Sequence, residues 1–216
     1  MTAQRNVPTV FPEVVSEEYL ATHWSSSRRK SLRRNKAKLG SCGPVHLRLH
    51  TEPSEVAKAL ESFLRLEHDS WKGEAGTACI SNPRDEMFIR EMVLGMADQR
   101  RILMSELCAG KRIIASAVNL TAGSALFAFK IGWDKTWAAV SPGVLHESEL
   151  LLAACDRLRK YTLFDSCSTV NSYLAPIWPE RIPVATGILY ASRWSLWSQQ
   201  VMRTSRRLRH WMNPAG

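Results

Sequence analysis

From Arg101 to Gly132 the chain holds three strand-like runs, at about 101–107, 112–120 and 125–132, joined only by CAG and TAGS. Glycine-bearing links that short leave no room for a crossover, so neighbouring runs pair as an antiparallel meander. The third run then passes through Asp134 and Ser141-Pro142-Gly143 into helical spacing over roughly 143–160. A block of this kind commits the chain to a sheet with a helix laid across it.

The flanking segments extend that block. Residues 16–39 read as one helix carrying Leu20, Trp24, Leu32 and Leu39, ended by Gly40. VHLRLH (45–50) alternates as a strand, and Ser54 is placed to cap a helix with Val56, Leu60, Phe63 and Leu64 in step. A further helix begins at Pro83, with Phe88, Met92 and Met96 on one side. TLFDSC (162–167) reads as a short buried strand, YLAPIWPE as a proline-broken turn and VATGILYAS (184–192) as a last strand. The expected class is α/β in the α+β sense, a mixed and mostly antiparallel sheet flanked by helices. There is no internal repeat and no low-complexity linker.

Charge is concentrated. The net charge is +9, from 29 Lys and Arg against 20 acids, but residues 25–38 hold seven basic residues and 203–210 four more, with no acid in either. Without those eleven, 18 basic residues face 20 acids, and the body is nearly neutral. Neither segment interleaves aromatics as a stacking platform for bases does, so a solvated helical face is expected and specific nucleic-acid binding is not. The five cysteines are scattered without a CxxC pair. The histidines form no HxxxH on a helix and no His/Cys cluster, His46 and His50 sharing a strand face at most, so no metal site is expected. No run approaches the roughly 20 apolar residues of a membrane span, and the N-terminus carries no apolar signal core. The expected compartment is the cytoplasm, with reduced thiols.

A helix start presents backbone N–H groups without intrahelical partners at the positive end of the dipole. With Ser141 to cap, Pro142 in the first turn and Gly143 opening the backbone to approach, the junction suits either an ordinary capped helix or a pyrophosphate.

Four stretches in order, FAFKIGWDKTWAAVSPGVL, FDSCS and IWPERIPV with RRKSLRRNKAKL upstream, resemble the GNAT-like acetyltransferase domain of the CelD-like family. That family is associated with cellulose and exopolysaccharide biosynthesis and is related to FemAB-type aminoacyl transferases. The resemblance spans about residues 14–192. It implies an acyl-CoA-dependent acyltransferase with no metal, the pyrophosphate resting on Ser141, Pro142, Gly143, Val144 and Leu145. The pantetheine arm then enters where strands 125–132 and 162–167 splay. SPGV stands in place of the usual Q/R-x-x-G-x-G/A phosphate loop. The family is usually longer, with two GNAT-like halves, so residues 1–40 read as the passage from a first half that is absent. Residues 41–192 are then the acyltransferase domain.

Acyl transfer from a thioester requires a donor to the developing oxyanion and a base near the attacking group. On the strand 125–132, strict alternation puts Leu126, Ala128 and Lys130 on one face and Phe127, Phe129 and Ile131 on the other. Lys130 is read either as a donor to the thioester oxygen or as a snorkelling surface lysine. Asp134 either orients Lys130 or accepts a proton, or serves as a turn acid. Asp165, an acid in an apolar strand, needs a partner such as Arg181 or Lys130, as an ion pair or as a general base. Cys167 reads as a small core residue. Trp178 and Arg181 resemble the family's Trp-Pro-x-Arg, implying a place at the end of the substrate site; packing is the other reading.

In the tail, Trp194, Trp197, Val201, Leu208 and Trp211 follow helical spacing, so 193–216 reads as a basic amphipathic helix. It packs on the domain itself, on a second copy or a separate first-half chain, or on an anionic membrane surface; protein contact is favoured over membrane. The overall reading is transfer of an acyl group, acetyl by preference, to an amine or hydroxyl, with a saccharide as one acceptor class. The alternative is a non-catalytic half-protein that docks a biosynthetic complex.

Overall fold

The computed structural model describes residues 3–186. The strands are β1 (Ala3–Val10), β2 (Val45–His50), β3 (Ile102–Ala109), β4 (Arg112–Ala122), β5 (Ala125–Trp133), β6 (Leu163–Asp165) and β7 (Glu180–Thr186). The helices are α1 (Glu17–His23), α2 (Ser26–Leu39), α3 (Pro53–His68), α4 (Trp71–Glu74), α5 (Pro83–Asp98) and α6 (Pro142–Ala154). Asn6–Pro183 form one compact unit; the outer ends of β1 and β7 belong to a second. The expected end of the last strand and the 193–216 helix lie outside the described residues.

The strands form one sheet in the order β2-β3-β4-β5-β6-β1-β7. The meander is antiparallel from β2 through β5, β6 joins β5 in parallel, and β1 pairs antiparallel with β6 through Thr9–Asp165 and Val10–Phe164. The class read from the sequence is therefore the one observed. Strand β1 was not anticipated: Pro8 and the polar residues of AQRNVPTV mask its pattern, yet Val7 through Val10 are buried.

Every residue of β3 is buried, because helices cover both faces of the sheet. On one face α3 and α5 pack Phe63, Leu64, Ile89 and Val93 against Met104 and Val118. On the other, α6 and α1 pack Leu150, Leu151, Leu20 and Trp24 against Leu103, Leu126 and Phe164. Helix α6 is buried nearly all round.

Local departures have identifiable causes. The helix expected over 16–39 breaks at Trp24, whose indole enters the core and donates to the Ile177 carbonyl at 2.9 Å, and Ser25 caps the new helix α2. Helix α3 starts at Pro53 rather than from a Ser54 cap, since proline suits the first helical position. Helix α6 stops at Ala154, and β6 is only three residues long. Among the described residues no helix is long and apolar enough to cross a membrane.

Candidate active site

Strand β5 carries a bulge. Val118 pairs with Lys130 and Asn119 with Ala128, leaving Phe129 unpaired. An extra residue reverses the side-chain alternation beyond it. Leu126 and Ala128 face α6, while Lys130, opposite Val118, faces α3. The expectation that Leu126, Ala128 and Lys130 share a face is thereby corrected.

On the α3 side Lys130 meets Glu67, a fully buried carboxylate. Glu67 accepts from Lys130 Nζ at 3.3 Å, Lys72 Nζ at 3.0 Å and the Cys79 N–H at 2.8 Å. Gly132 permits this approach: a Cβ there would lie 2.7 Å from the Glu67 nitrogen, so α3 docks backbone to backbone on β5. Burial works against the Glu67 charge, but the Cys79 bonds and Lys72 outweigh it and hold its pKa below the usual range. Burial likewise opposes the Lys130 ammonium, and the Glu67 carboxylate more than compensates, so Lys130 stays charged. The Cys79 thiol is pushed up to about 11 by burial and by Glu67, which makes it inert.

Pairing of β5 with β6 ends at Phe127–Asp165, and β5 runs on to Trp133 paired only with β4. Strand β6 itself stops at Asp165, which leaves a gap beside the second half of β5 where the resemblance implied a splay. The gap opens a chamber of about 230 Å³ lined by Asn119, Ala128, Lys130, Glu147, Ser166 and Tyr173 among others. Beside it, a cleft of about 420 Å³ is lined by Trp71, Trp133, Pro142, Gly143 and Val144. Lys72, Ile131 and Tyr173 border both, so the two spaces adjoin. A Cβ on Gly143 would find only ordinary contacts, 3.8 Å from Trp133 and 3.9 Å from Ile131 and the Tyr173 hydroxyl. The first turn of α6 therefore has its backbone open to the cleft. The Tyr173 ring is about half-exposed, but burial of its hydroxyl end and the Glu147 charge raise its pKa far above the ordinary value, so it remains protonated.

Other sequence-chosen residues are placed differently. Ser141 does not cap α6: its backbone is left-handed (φ 53°) and its side chain makes no cap bond. An N-cap hydroxyl needs extended backbone to reach the first turn, so Ser141 contributes only its carbonyl, which accepts the first helical bond from Leu145 N at 3.1 Å. Pro142 and Gly143 occupy the first turn, Val144 borders the cleft, and Leu145 is core. Asp134 does not orient Lys130; it caps the 3-10 turn Lys135–Val140 through Thr136 N (3.0 Å) and pairs with Arg112 (2.6 Å). Burial tends to raise its pKa, and the Thr136 and Arg112 bonds bring it below the usual range.

Asp165 meets neither Arg181 nor Lys130. Its Oδ1 accepts from the Cys167 N–H at 2.7 Å, fixing the turn after β6, in which Cys167 has φ 52°. Cys167 is exposed and borders the chamber rather than the core. Trp178 is fully buried against Phe164 and belongs to the core, not to a substrate surface. Arg181 donates to the carbonyls of Ala175, Trp178 and Glu180, tying down the proline-broken turn.

The most informative residue was missed. Glu147, on α6, is 2% exposed; its Oε1 lies 3.2 Å from His146 Nδ1 and its Oε2 has no partner. The signal was an acid between Leu145 and Leu150 in an apolar helix, the same reasoning that singled out Asp165. Glu67 and Lys72 carried no comparable local sign, since their meeting with Lys130 depends on the docking of α3.

Two solved structures share the fold. One is a conserved protein of unknown function from Bacteroides thetaiotaomicron, with a TM-score of 0.50 and 10% identity over 86% of this chain and 60% of that one. The other is the C-terminal domain of a protein described as a lysylphosphatidylglycerol synthetase from Agrobacterium fabrum, with a TM-score of 0.53 and 14% identity over the same shares. The chain thus spans about 60% of the length of each. No curated protein sequence matches it. The acetyltransferase (GNAT) domain family matches residues 26–173, from α2 through α6 to the loop bearing Tyr173, and the chain belongs to that family.

Proposed function

We propose that the chain transfers an acyl group from acyl-CoA to an amine or hydroxyl acceptor, by direct attack in a ternary complex. The observation that carries this reading is the adjoining cleft and chamber, which run from the open first turn of α6 to the carboxylate of Glu147. The backbone at Gly143 and Val144 offers N–H groups to a pyrophosphate, and no side chain at Gly143 obstructs them. Lys130, held as a cation by Glu67, supplies a donor for the thioester oxygen as negative charge develops there. Glu147 Oε2 takes the proton of the attacking group as the new bond to the acyl carbon forms and the carbon–sulfur bond breaks. Asn119 lines the same chamber, and its Oδ1, also buried and without a partner, is a second hydrogen-bond acceptor at the chamber wall. A module that only docked a partner would have no use for a buried carboxylate beside such a chamber. The finer placing, with acetyl as the acyl group and a saccharide acceptor in exopolysaccharide synthesis, rests on the CelD-like resemblance.

Titration with CoA tests the cradle. The parent protein is expected to bind, and Gly143→Val to bind at least about tenfold more weakly, the worth of one charge-assisted hydrogen bond. Gly143→Ala, whose Cβ meets no atom closer than 3.8 Å, should weaken CoA binding in the same direction while its melting temperature hardly moves. Equal affinities would remove the cradle.

Lys130→Ala should lower turnover by more than it changes CoA affinity, since the donor is needed when charge develops and not on binding. Parental turnover in this variant would leave Lys130 only its structural tie to Glu67.

A further inference from the structure

Behind Glu147 lies a set of fully buried polar groups of which the steps above use only Asn119 Oδ1. Asn119 on β4, Ser105 on β3 and His146 on α6 each have 0% exposure, so none can turn to water for a partner. Asn119 Nδ2 lies 3.1 Å from the Leu103 carbonyl, which can only accept; this fixes which end of the amide is nitrogen. The same Nδ2 therefore donates to Ser105 Oγ at 2.9 Å. Ser105 Oγ in turn lies 2.9 Å from His146 Nε2, and His146 Nδ1 lies 3.2 Å from Glu147 Oε1.

Two arrangements of the imidazole proton compete. With the proton on Nε2, directed at the Ser105 carbonyl 3.2 Å away, the serine hydroxyl proton loses its acceptor. The Nδ1 lone pair then faces the Glu147 oxygen. With the proton on Nδ1, Ser105 donates to Nε2, His146 donates to Glu147, and every donor in the series has an acceptor. A buried donor without a partner keeps its full desolvation cost, and two facing acceptors add repulsion, so the second arrangement wins.

On that basis we propose that Asn119, Ser105 and His146 form a one-way hydrogen-bond chain whose donors all point towards Glu147. His146 is thereby the positioning residue that occupies Oε1 and leaves Oε2, buried at the chamber wall, without a partner. The charged and titratable groups facing the same space are Lys130 from β5, Lys72 from α4, and Cys167 and Tyr173 from the segment after β6. The two lysines are engaged by Glu67. The role in turnover rests on the acyl-transfer reading above; the direction of the chain does not.

Nitrogen-15 labelling of the histidines, read by long-range proton–nitrogen correlation on the intact protein at neutral pH, gives the tautomer directly. The His146 signal is identified by its loss in His146→Gln. A proton on Nδ1 alone is expected; a proton on Nε2, or on both nitrogens, would overturn the proposal. Ser105→Ala removes the hydroxyl and leaves Nε2 only the main-chain carbonyl, so the proton should move to Nε2. The same variant should release CoA thiol from acetyl-CoA, offered a panel of small amines and alcohols, about tenfold or more slowly at unchanged KM. An unmoved tautomer in Ser105→Ala, or a switched tautomer with parental turnover, would also overturn it. If the parent releases no thiol, the acyl-transfer reading fails, and the tautomer in the parent still decides the chain.

Discussion

Replacing Glu147 with glutamine should lower the rate of acyl transfer by about 10²- to 10⁴-fold, the usual contribution of a positioned general base. CoA affinity should stay where it is, because the pyrophosphate cradle lies in the neighbouring cleft at Gly143. Glutamine has the size of glutamate, and its carbonyl oxygen can still accept from His146, so folding should be little affected. What is lost is the ability of the second oxygen to take a proton. Single-turnover measurements with acetyl-CoA, alongside CoA titration, separate the two effects. A variant that turns over at the parental rate would show that the carboxylate does not take the proton. One that loses CoA binding in proportion would show that Glu147 belongs to the cofactor's site.

The second large effect concerns stability. Glu67→Ala leaves Lys72, Lys130 and the Cys79 N–H facing a hole where a buried carboxylate answered all three. Breaking a buried pair by removing one partner costs about 3 kcal/mol or more. For a chain of this length that is roughly 6–12 °C of melting temperature. Glu67→Gln, which keeps an acceptor for Cys79, should lose less. The pH dependence has a definite sign. Glu67 is held below the usual glutamate range, so its contribution is complete above about pH 4.3 and disappears as pH falls through the lowered folded value. The gap in melting temperature between parent and Glu67→Gln should therefore close on acidification. A gap independent of pH, or no loss in Glu67→Ala, would show that the lysines find water instead.

These two glutamates mark where the sequence stops being readable. The meander, the helix from Pro83 and the junction at Pro142 were legible because short glycine-bearing links and local periodicity determine them without reference to distant residues. Glu147 was within reach of the same reasoning, since an acid in an apolar helix demands an explanation. Glu67 was not, because its partners come from β5 and α4 and nothing in its own helix announces them. Trp178 and Arg181 illustrate a different limit. A recurring Trp-Pro-x-Arg pattern is compatible with ligand contact and with architecture alike, and here it fills the core and ties carbonyls. Strand β1 escaped because its burial comes from being flanked by β6 in the sheet, while a proline and polar residues hide any pattern.

The bulge at Phe129 gives β5 two reading frames. Before it, odd and even positions have one assignment to the two sides of the sheet; after it, the assignment is inverted. Sequence change within either frame can reshape one wall of the chamber without disturbing the other. Losing or gaining a single residue between Ala128 and Lys130 is another matter, because it would exchange the inward and outward roles of everything up to Trp133 at once. In a lineage of such domains this strand should therefore tolerate substitution, outside Lys130, Gly132 and the buried Leu126, far better than a change of length.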